Sequence, residues 1–172
     1  YHNSMLQISR KFKDKIQVAF KPHPLLKEKL YNHPAWGRKV TDEYYRKWEE
    51  LQNGQVNTDD YVDLFNSSDA IIFDSGSFTA EYLACGKPSL FTFSDNSVRE
   101  RFNEFGKIAL DIHYHAHNEA DIESFVELVL GKREDTKKNE RHAFYKTFLF
   151  PKTSQKPSIE IYEDICRLIF SV

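Results

Sequence analysis

Four consecutive residues near the middle of the chain, Asp74, Ser75, Gly76 and Ser77, have the composition of an anion-binding turn. They follow an apolar run and precede a helical pattern, and the first N–H groups of a helix lack intrahelical partners and favour negative charge. Gly76 lets the backbone approach a ligand closely, and the serine hydroxyls add donors. The turn therefore predicts a phosphate or pyrophosphate site, with an ordinary helix cap as the alternative.

A second candidate is His23, which stands between two prolines in the segment 21–24. The prolines restrict the backbone on both sides of the histidine. An imidazole held in this way suits contact with a phosphate, or general acid–base catalysis near neutral pH. We therefore take His23 as the candidate catalytic residue, with a loop histidine in a stiff turn as the alternative.

Three charged residues follow the Asp74–Ser77 turn in the sequence and could contact other parts of a nucleotide bound there. Glu81 lies about a turn and a half into the predicted helix and could accept hydrogen bonds from a ribose diol or simply face solvent. Arg99 and Arg101 come after the next strand and could reach a ligand phosphate. Solvated surface positions are the alternative for both arginines.

The alternation of His113, His115 and His117 requires that a metal site be considered, because all three side chains would share one face of a strand. Asn118 and Asp121 match the capping residues of a following helix, which places the histidines in a surface turn. We expect no metal here.

The elements that would position these residues alternate between strands and helices. Apolar runs predict strands at 16–20, 70–73, 89–93 and 108–110, and helical patterns cover about 25–54, 78–85, 97–104, 119–130, 134–147 and 157–170. This alternation predicts a Rossmann-like three-layer α/β/α fold with a mostly parallel sheet. The candidate residues follow the strands at 16–20 and 70–73, and open parallel sheets bind ligands at the carboxyl ends of their strands.

Composition limits the classes of protein to which the chain can belong. Its 172 residues predict a single domain, 1–172, and its formal net charge of −2 argues against broad nucleic-acid binding. The sequence contains no apolar run of about 20 residues that would span a membrane. Cys85 and Cys166 form no zinc-type pattern and lie in apolar helical contexts, so we expect two buried free thiols in a reducing, cytoplasmic compartment. The chain does not begin with Met, and we expect it to be part of a longer enzyme.

Several motifs of the chain, taken together, resemble the C-terminal half of GT-B enzymes. They are the segments Lys21–Pro24, Ser67–Ser77 and Gly86–Pro88, and Glu81, which precedes the last segment. They are most similar to CDP-glycerol glycerophosphotransferases of the teichoic-acid type, which carry K-P-H-P, S-D-x-x-I-T-D-Y-S-S, an acidic residue and G-K-P at the same spacing. The resemblance covers about residues 10 to 110. At residues 74–77 the chain departs from D-Y-S-S and is nearer to the D-S-G-G of non-hydrolysing UDP-N-acetylglucosamine 2-epimerases.

The resemblance implies that this half binds a nucleotide-activated donor, CDP-glycerol or a UDP-sugar, with no further cofactor required. Residues 74–77 would hold the donor pyrophosphate, Glu81 the ribose, and His23 the phosphate that is displaced. In these families the acceptor side, and often the catalytic base, belong to an N-terminal domain. We therefore expect that domain as a partner, an inactive chain on its own, and action at the inner face of the membrane in cell-surface polymer synthesis.

Two other functions stay open at this point. A sugar-nucleotide epimerase would keep the fold and select UDP ligands. A non-enzymatic α/β binding module, flavodoxin-like or receiver-like, would also fit the alternation of strands and helices. A receiver needs clustered acidic residues after its first strand, where this chain has Lys21–Pro24, and a bound flavin would colour the protein yellow.

Overall fold

The structure is a computed structural model that describes residues 1–95, 97–151, 153 and 155–170. Its strands are β1 (Val18–Phe20), β2 (Gly54–Val56), β3 (Ile71–Phe73), β4 (Ser89–Thr92) and β5 (Tyr114–Ala116). Its α-helices are α1 (His2–Lys11), α2 (Leu26–Tyr31), α3 (Gly37–Glu49), α4 (Val62–Ser67), α5 (Glu104–Ile112), α6 (Glu119–Val129), α7 (Lys138–Phe144) and α8 (Pro157–Phe170). Short 3-10 turns cover Gly76–Phe78, Glu81–Cys85 and Val98–Arg101, and a π-helical turn covers Tyr145–Leu149.

All strand pairs described are parallel, and they form two units. Strands β1 and β2 pair with each other, and β3, β4 and β5 form a second sheet in that order. In the second sheet Phe73 lies opposite Phe91, and Phe91 lies opposite His115. Parallel strands joined by helical crossovers confirm the predicted Rossmann-like α/β class.

Alternation along β4 explains why helices cover both faces of its sheet, since neighbouring strand residues point to opposite sides. Leu90 packs against Ile122 and Phe125 of α6 and against residues of α1. Phe91, the next residue, packs on the other face against Leu110 of α5. Every residue of β4 is buried, as expected for the central strand of a three-layer fold.

Helix α3 covers the two-stranded sheet with aromatic side chains. Tyr44, Tyr45 and Trp48 of this helix are buried at a spacing of three and four residues, which places them on one face. Phe20 of β1 stacks on Trp48, with ring centroids 4.9 Å apart and an interplanar angle of 14°. An aromatic cluster therefore fills the space above β1.

The helix predicted over 78–85 is wrong in type. The chain there makes two 3-10 turns, and Leu83 donates its N–H to the carbonyl of Ala80 rather than to that of Thr79. The Thr79 carbonyl is bonded to the imidazole of His113 at 2.7 Å. Because a tertiary partner takes the carbonyl that an α-helix would use, the segment stays in the tighter conformation.

The strand predicted at 108–110 and the helix predicted near 97–104 are also wrong. Residues 108–110 lie inside α5, where Ala109 and Leu110 form the buried side of an amphipathic helix. That helix begins only at Glu104, because the side chain of Asn103 accepts the N–H of Gly106 and caps it. The strand of this region is β5, which contains His115.

A single helix over 25–54 is not formed. His33 and Pro34 separate α2 from α3, and α3 starts at Gly37, whose φ of 63° lies in the left-handed region. The segment Gly54–Val56, whose first residue ends the predicted helix, is the strand β2. It was missed because it contains a single large apolar residue.

Helices α6 and α8 agree with the ranges predicted for them, although α8 packs little of its surface. None of its residues is buried, and Ile161, Leu168 and Phe170 are exposed. Within the described ranges no helix combines the length and the apolar character needed to cross a bilayer. Cys85 and Cys166 are free thiols, but the prediction that both are buried is wrong: each is half-buried, and Cys166 belongs to α8, which packs little of its surface.

Candidate functional site

A cavity of about 520 Å³ lies at the carboxyl ends of β3 and β4. Asp74 and Gly76 line it from the end of β3, and Ser94 lines it from the end of β4. Arg101 and Phe102 close it on the side of α5. The cavity therefore occupies the place where open parallel sheets bind ligands.

The residues of the predicted anion-binding turn are exposed and uncommitted. Within the ranges described, the Asp74 carboxylate and the hydroxyls of Ser75 and Ser77 have no hydrogen-bond partner. The backbone carbonyl of Ser75 accepts a bond of 3.4 Å from the Thr79 hydroxyl, which fixes the turn after the strand. The three side chains are thus free to bind a ligand.

The physical basis expected for this turn needs correction. The element after Ser75 is a 3-10 turn of three residues, Gly76–Phe78, so it has no helix macrodipole of useful size. The groups that remain for an anion are the two serine hydroxyls and the backbone at Gly76. The carboxylate of Asp74 repels a phosphate and is better suited to accept a hydrogen bond from a ligand hydroxyl.

The charge of Asp74 acts on a residue of the first unit, the sheet of β1 and β2 with α3. Burial, together with the negative charge of Asp74, raises the pKa of the Tyr44 hydroxyl. Tyr44 belongs to α3, which packs on β1, so the helix that covers β1 reaches the end of β3.

Two glycines make room for the ring of Phe102 at the cavity wall. A Cβ atom at Gly106 would lie 2.8 Å from Cδ1 of Phe102, closer than real side chains approach. A Cβ atom at Gly76 would lie 3.5 Å from Cε1 of the same ring, an ordinary contact. The edge of the ring also meets Phe91, at a centroid distance of 6.0 Å. The ring is thus held between α5 and the turn at Gly76.

The two arginines considered from the sequence have different surroundings. Arg99 makes two hydrogen bonds to Asp111, at 2.5 Å and 2.9 Å, and does not line the cavity. Arg101 lines the cavity and pairs with Asp95 at 3.1 Å. Hydrogen bonds from Ser97, with a smaller effect of Arg101, lower the pKa of Asp95. Arg101 is therefore the guanidinium within reach of a bound anion.

His23 lies at the end of β1, outside the cavity of β3 and β4. Its Nδ1 accepts the N–H of Leu25 at 3.1 Å, so the neutral ring carries its proton on Nε2. The side chain is exposed, and its Nε2–H is free to donate to a phosphate oxygen. In the part of the chain that is described, no hydrogen bond or ion pair joins His23 to residues 74–77.

Glu81 is exposed and does not line the cavity. The carboxylate of Glu81 lies close enough to the Tyr61 hydroxyl to raise the pKa of that tyrosine. The structure therefore pairs Glu81 with a tyrosine that precedes α4 and does not bring it together with Asp74 and Gly76.

The three alternating histidines each have a different partner. His113 is fully buried, with Nε2 bonded to the Thr79 carbonyl and Nδ1 2.6 Å from the Ser89 hydroxyl. Because a carbonyl only accepts, Nε2 carries the proton and Nδ1 accepts from the hydroxyl. Burial lowers the pKa of His113 to about 4. His115 bonds to the carbonyl of Leu110, and His117 stacks on Phe93.

Metal ligation requires at least three suitable side chains around one point. Among the residues that the structure describes, no group of three or more His, Cys, Asp or Glu side chains is arranged to hold a metal ion.

Sequence reasoning did not identify Ser94, Phe102 and Asn103 as cavity residues. Ser94 could have been found, because it follows the strand predicted at 89–93. Phe102 and Asn103 carry only the signal of a helix cap, the pairing of Asn103 with Gly106. Their place at the cavity depends on how α5 packs, which no local pattern records.

No protein-family model matches this chain, and neither a curated protein nor a solved structure is significantly similar to it.

Proposed function

We propose that this chain is the donor-binding half of a glycerophosphotransferase or glycosyltransferase, and that it binds a nucleotide diphosphate at the carboxyl ends of β3 and β4. The cavity lined by Asp74 and Gly76 carries this proposal. It lies at the edge of a parallel sheet, has free hydroxyls beside it, and has Arg101 on its wall. The resemblance of residues 21–24, 67–77 and 86–88 to CDP-glycerol glycerophosphotransferases supports the same conclusion.

In this proposal each group has a separate task. The hydroxyls of Ser75 and Ser77 and the backbone at Gly76 donate hydrogen bonds to the diphosphate. Asp74 accepts a hydrogen bond from a hydroxyl of the donor, and Arg101 offsets charge on the phosphates. The protein contributes mainly by positioning the donor and neutralising its charge.

In the proposed reaction an acceptor hydroxyl attacks the activated atom of the donor, the bond from that atom to the departing nucleotide phosphate breaks, and the hydroxyl proton passes to a base of the N-terminal partner domain. His23 donates its Nε2–H to the phosphate that leaves, and a domain that this chain does not contain supplies the acceptor site. Glu81 is the proposed ribose contact, and its carboxylate would have to turn from the nearby Tyr61 hydroxyl toward the ligand. We place the full-length enzyme in the cytoplasm, at the inner face of the membrane.

Isothermal titration with CDP-glycerol, a UDP-sugar and CMP tests the site. We expect Ser77→Asp to weaken binding about tenfold or more, because a carboxylate about 4 Å from a doubly charged diphosphate costs over about 1 kcal/mol even in water. Ser158→Asp adds the same charge on α8 and should bind as the unmodified chain does. Equal affinity in the unmodified chain and Ser77→Asp removes the anion site.

The same titration separates the alternative function. Asp74–Ser77 is nearer to the epimerase motif than to D-Y-S-S, and a sugar-nucleotide epimerase would select the UDP-sugar over CDP-glycerol. Tighter binding of CDP-glycerol excludes that alternative.

A further inference from the structure

The cavity beside Gly76 has a polar rim and an aromatic wall. Ser94 and Asn103 contribute polar groups at the rim, whereas the apolar lining consists of the half-buried ring of Phe102 and the buried side chains of Phe91 and Val98. Small-molecule sites commonly combine an apolar surface with a few polar groups that fix orientation. The ligand that matches this lining carries a flat apolar part next to a polar one.

The position of Phe102 shows which part of a ligand would meet the apolar wall. Its ring lies 3.5 Å from where a Cβ at Gly76 would be, so a molecule bound along the turn at residues 75–77 passes beside the ring. On the side of α5 the ring has little free space, because even a Cβ atom at Gly106 would lie only 2.8 Å from its Cδ1. Phe102 is therefore a fixed aromatic surface adjacent to the proposed phosphate site.

We infer that Phe102 forms a nucleobase-binding subsite, in which the base of the donor packs against the phenyl ring while its phosphates lie along Ser75–Ser77. This inference rests on the proposed function and adds to it the part of the donor that supplies affinity. Stacking on an aromatic ring suits every base, since each has a π-face. The subsite therefore demands a base without selecting cytosine over uracil.

Ribose 5-phosphate and CMP are suitable probes, because the two share a sugar and a phosphate and CMP has a base in addition. We expect CMP to bind the chain about tenfold more tightly than ribose 5-phosphate, and Phe102→Leu to remove that advantage. Leucine retains apolar volume but loses the flat face. Phe148→Leu, which changes an exposed phenylalanine outside the cavity, is the matched control. Ligand titrations followed by NMR reach the millimolar range that ribose 5-phosphate requires.

The possible results separate this inference from the proposed function. Loss of the CMP advantage in Phe102→Leu, with unchanged affinity for ribose 5-phosphate, supports the subsite. Equal binding of the two ligands by the unmodified chain overturns the subsite and leaves the phosphate site standing. An equal loss for both ligands in Phe102→Leu also overturns it, because the ring would then act on the turn. Failure of both ligands to bind the unmodified chain overturns the proposed function and the subsite together.

Discussion

The two parallel-strand units are built on the same plan but use their aromatic side chains differently. In the first unit, the rings of Phe20, Trp36, Tyr44 and Trp48 pack face to face or edge to face and cover the strands. In the second unit, the space at the carboxyl ends of β3 and β4 stays open, and Gly76 and Phe102 both border it. Aromatic rings thus close the packing of one unit and line an open cavity in the other.

The units also differ in charge. Residues 10–39, which include β1 and α2, contain nine Lys or Arg and two Asp or Glu, although the whole chain is slightly acidic. The turn after β3 carries Asp74 and no cation. A negatively charged donor at the second unit would therefore lie beside a basic neighbour, and long-range attraction from residues 10–39 would favour its approach.

Finally, the units are held by different kinds of contact. Aromatic packing, which is independent of pH near neutrality, joins α3 to β1. In the second unit, a buried imidazole joins the start of β4 to the turns after β3, through Ser89 and Thr79. The buried guanidinium of Arg141 pairs with Asp135 and bonds to the carbonyl of Gly86. The stability of the second unit, which contains the cavity, thus depends on ionisable groups.

Acid should therefore weaken the second unit, and this is the largest effect that we expect. The pKa of His113 is about 4 in the folded chain because the ring is buried, and about 6.5 when the chain is unfolded. Between these values the unfolded state binds the extra proton, so stability is lost as the pH falls from about 6.5 to about 4. The contribution of this residue is about 3 kcal/mol.

Urea unfolding followed by circular dichroism at pH 7, 5.5 and 4 measures the loss. In His113→Gln the pH dependence should shrink by about 3 kcal/mol, whatever the absolute stability of the variant. His23→Gln removes an exposed imidazole and should retain the dependence of the unmodified chain. Identical slopes for the unmodified chain and His113→Gln would show that the imidazole does not hold the second unit.

Sequence patterns predict best those strands whose residues are mostly apolar. Residues 70–73 are wholly apolar and residues 89–93 include Leu90, Phe91 and Phe93, so the predicted bounds of β3 and β4 are close to those observed. Residues 108–110 are equally apolar, but they belong to a helix with one buried face. A run of three residues cannot distinguish the periods of helix and strand, and the cap at Asn103 was the local signal that could have decided.

Only part of the cavity lining could be predicted from the sequence, because local patterns do not record tertiary packing. Asp74 and Gly76 were found because they follow a strand directly, and the chemistry of a strand end is local. Phe102 and Tyr44 reach the same region through the packing of α5 and α3. Their roles depend on interhelical distances set by glycines and aromatic contacts far apart in the chain. Reasoning from a single sequence does not recover such distances.

Two glycine substitutions test how tightly the ring of Phe102 is packed at the cavity wall. Gly106→Ala should destabilise the chain by about 1–2 kcal/mol despite the better helix propensity of alanine, because the new Cβ overlaps the Phe102 ring. Gly76→Ala is the matched control: its Cβ would make an ordinary contact at 3.5 Å, and we expect a change within about 0.5 kcal/mol. Thermal and urea unfolding measure both. Equal costs would mean that the ring is not fixed between the two glycines.

The smallest effect that we expect is a change in the pKa of Tyr44, which reports how close Asp74 lies to α3. Asp74→Asn should lower the pKa of Tyr44 toward its ordinary value, while the larger part of the increase, due to burial, stays. Glu81→Gln is the control, since it should lower the pKa of Tyr61 and leave Tyr44 unchanged. Titration of ¹³Cζ-labelled tyrosine resonances resolves the two residues. An unchanged Tyr44 in Asp74→Asn would mean that the end of β3 does not face α3. His23 would then lie too far from the cavity to share a substrate with it, and the proposed catalytic role of His23 would have to be abandoned while the donor site remained.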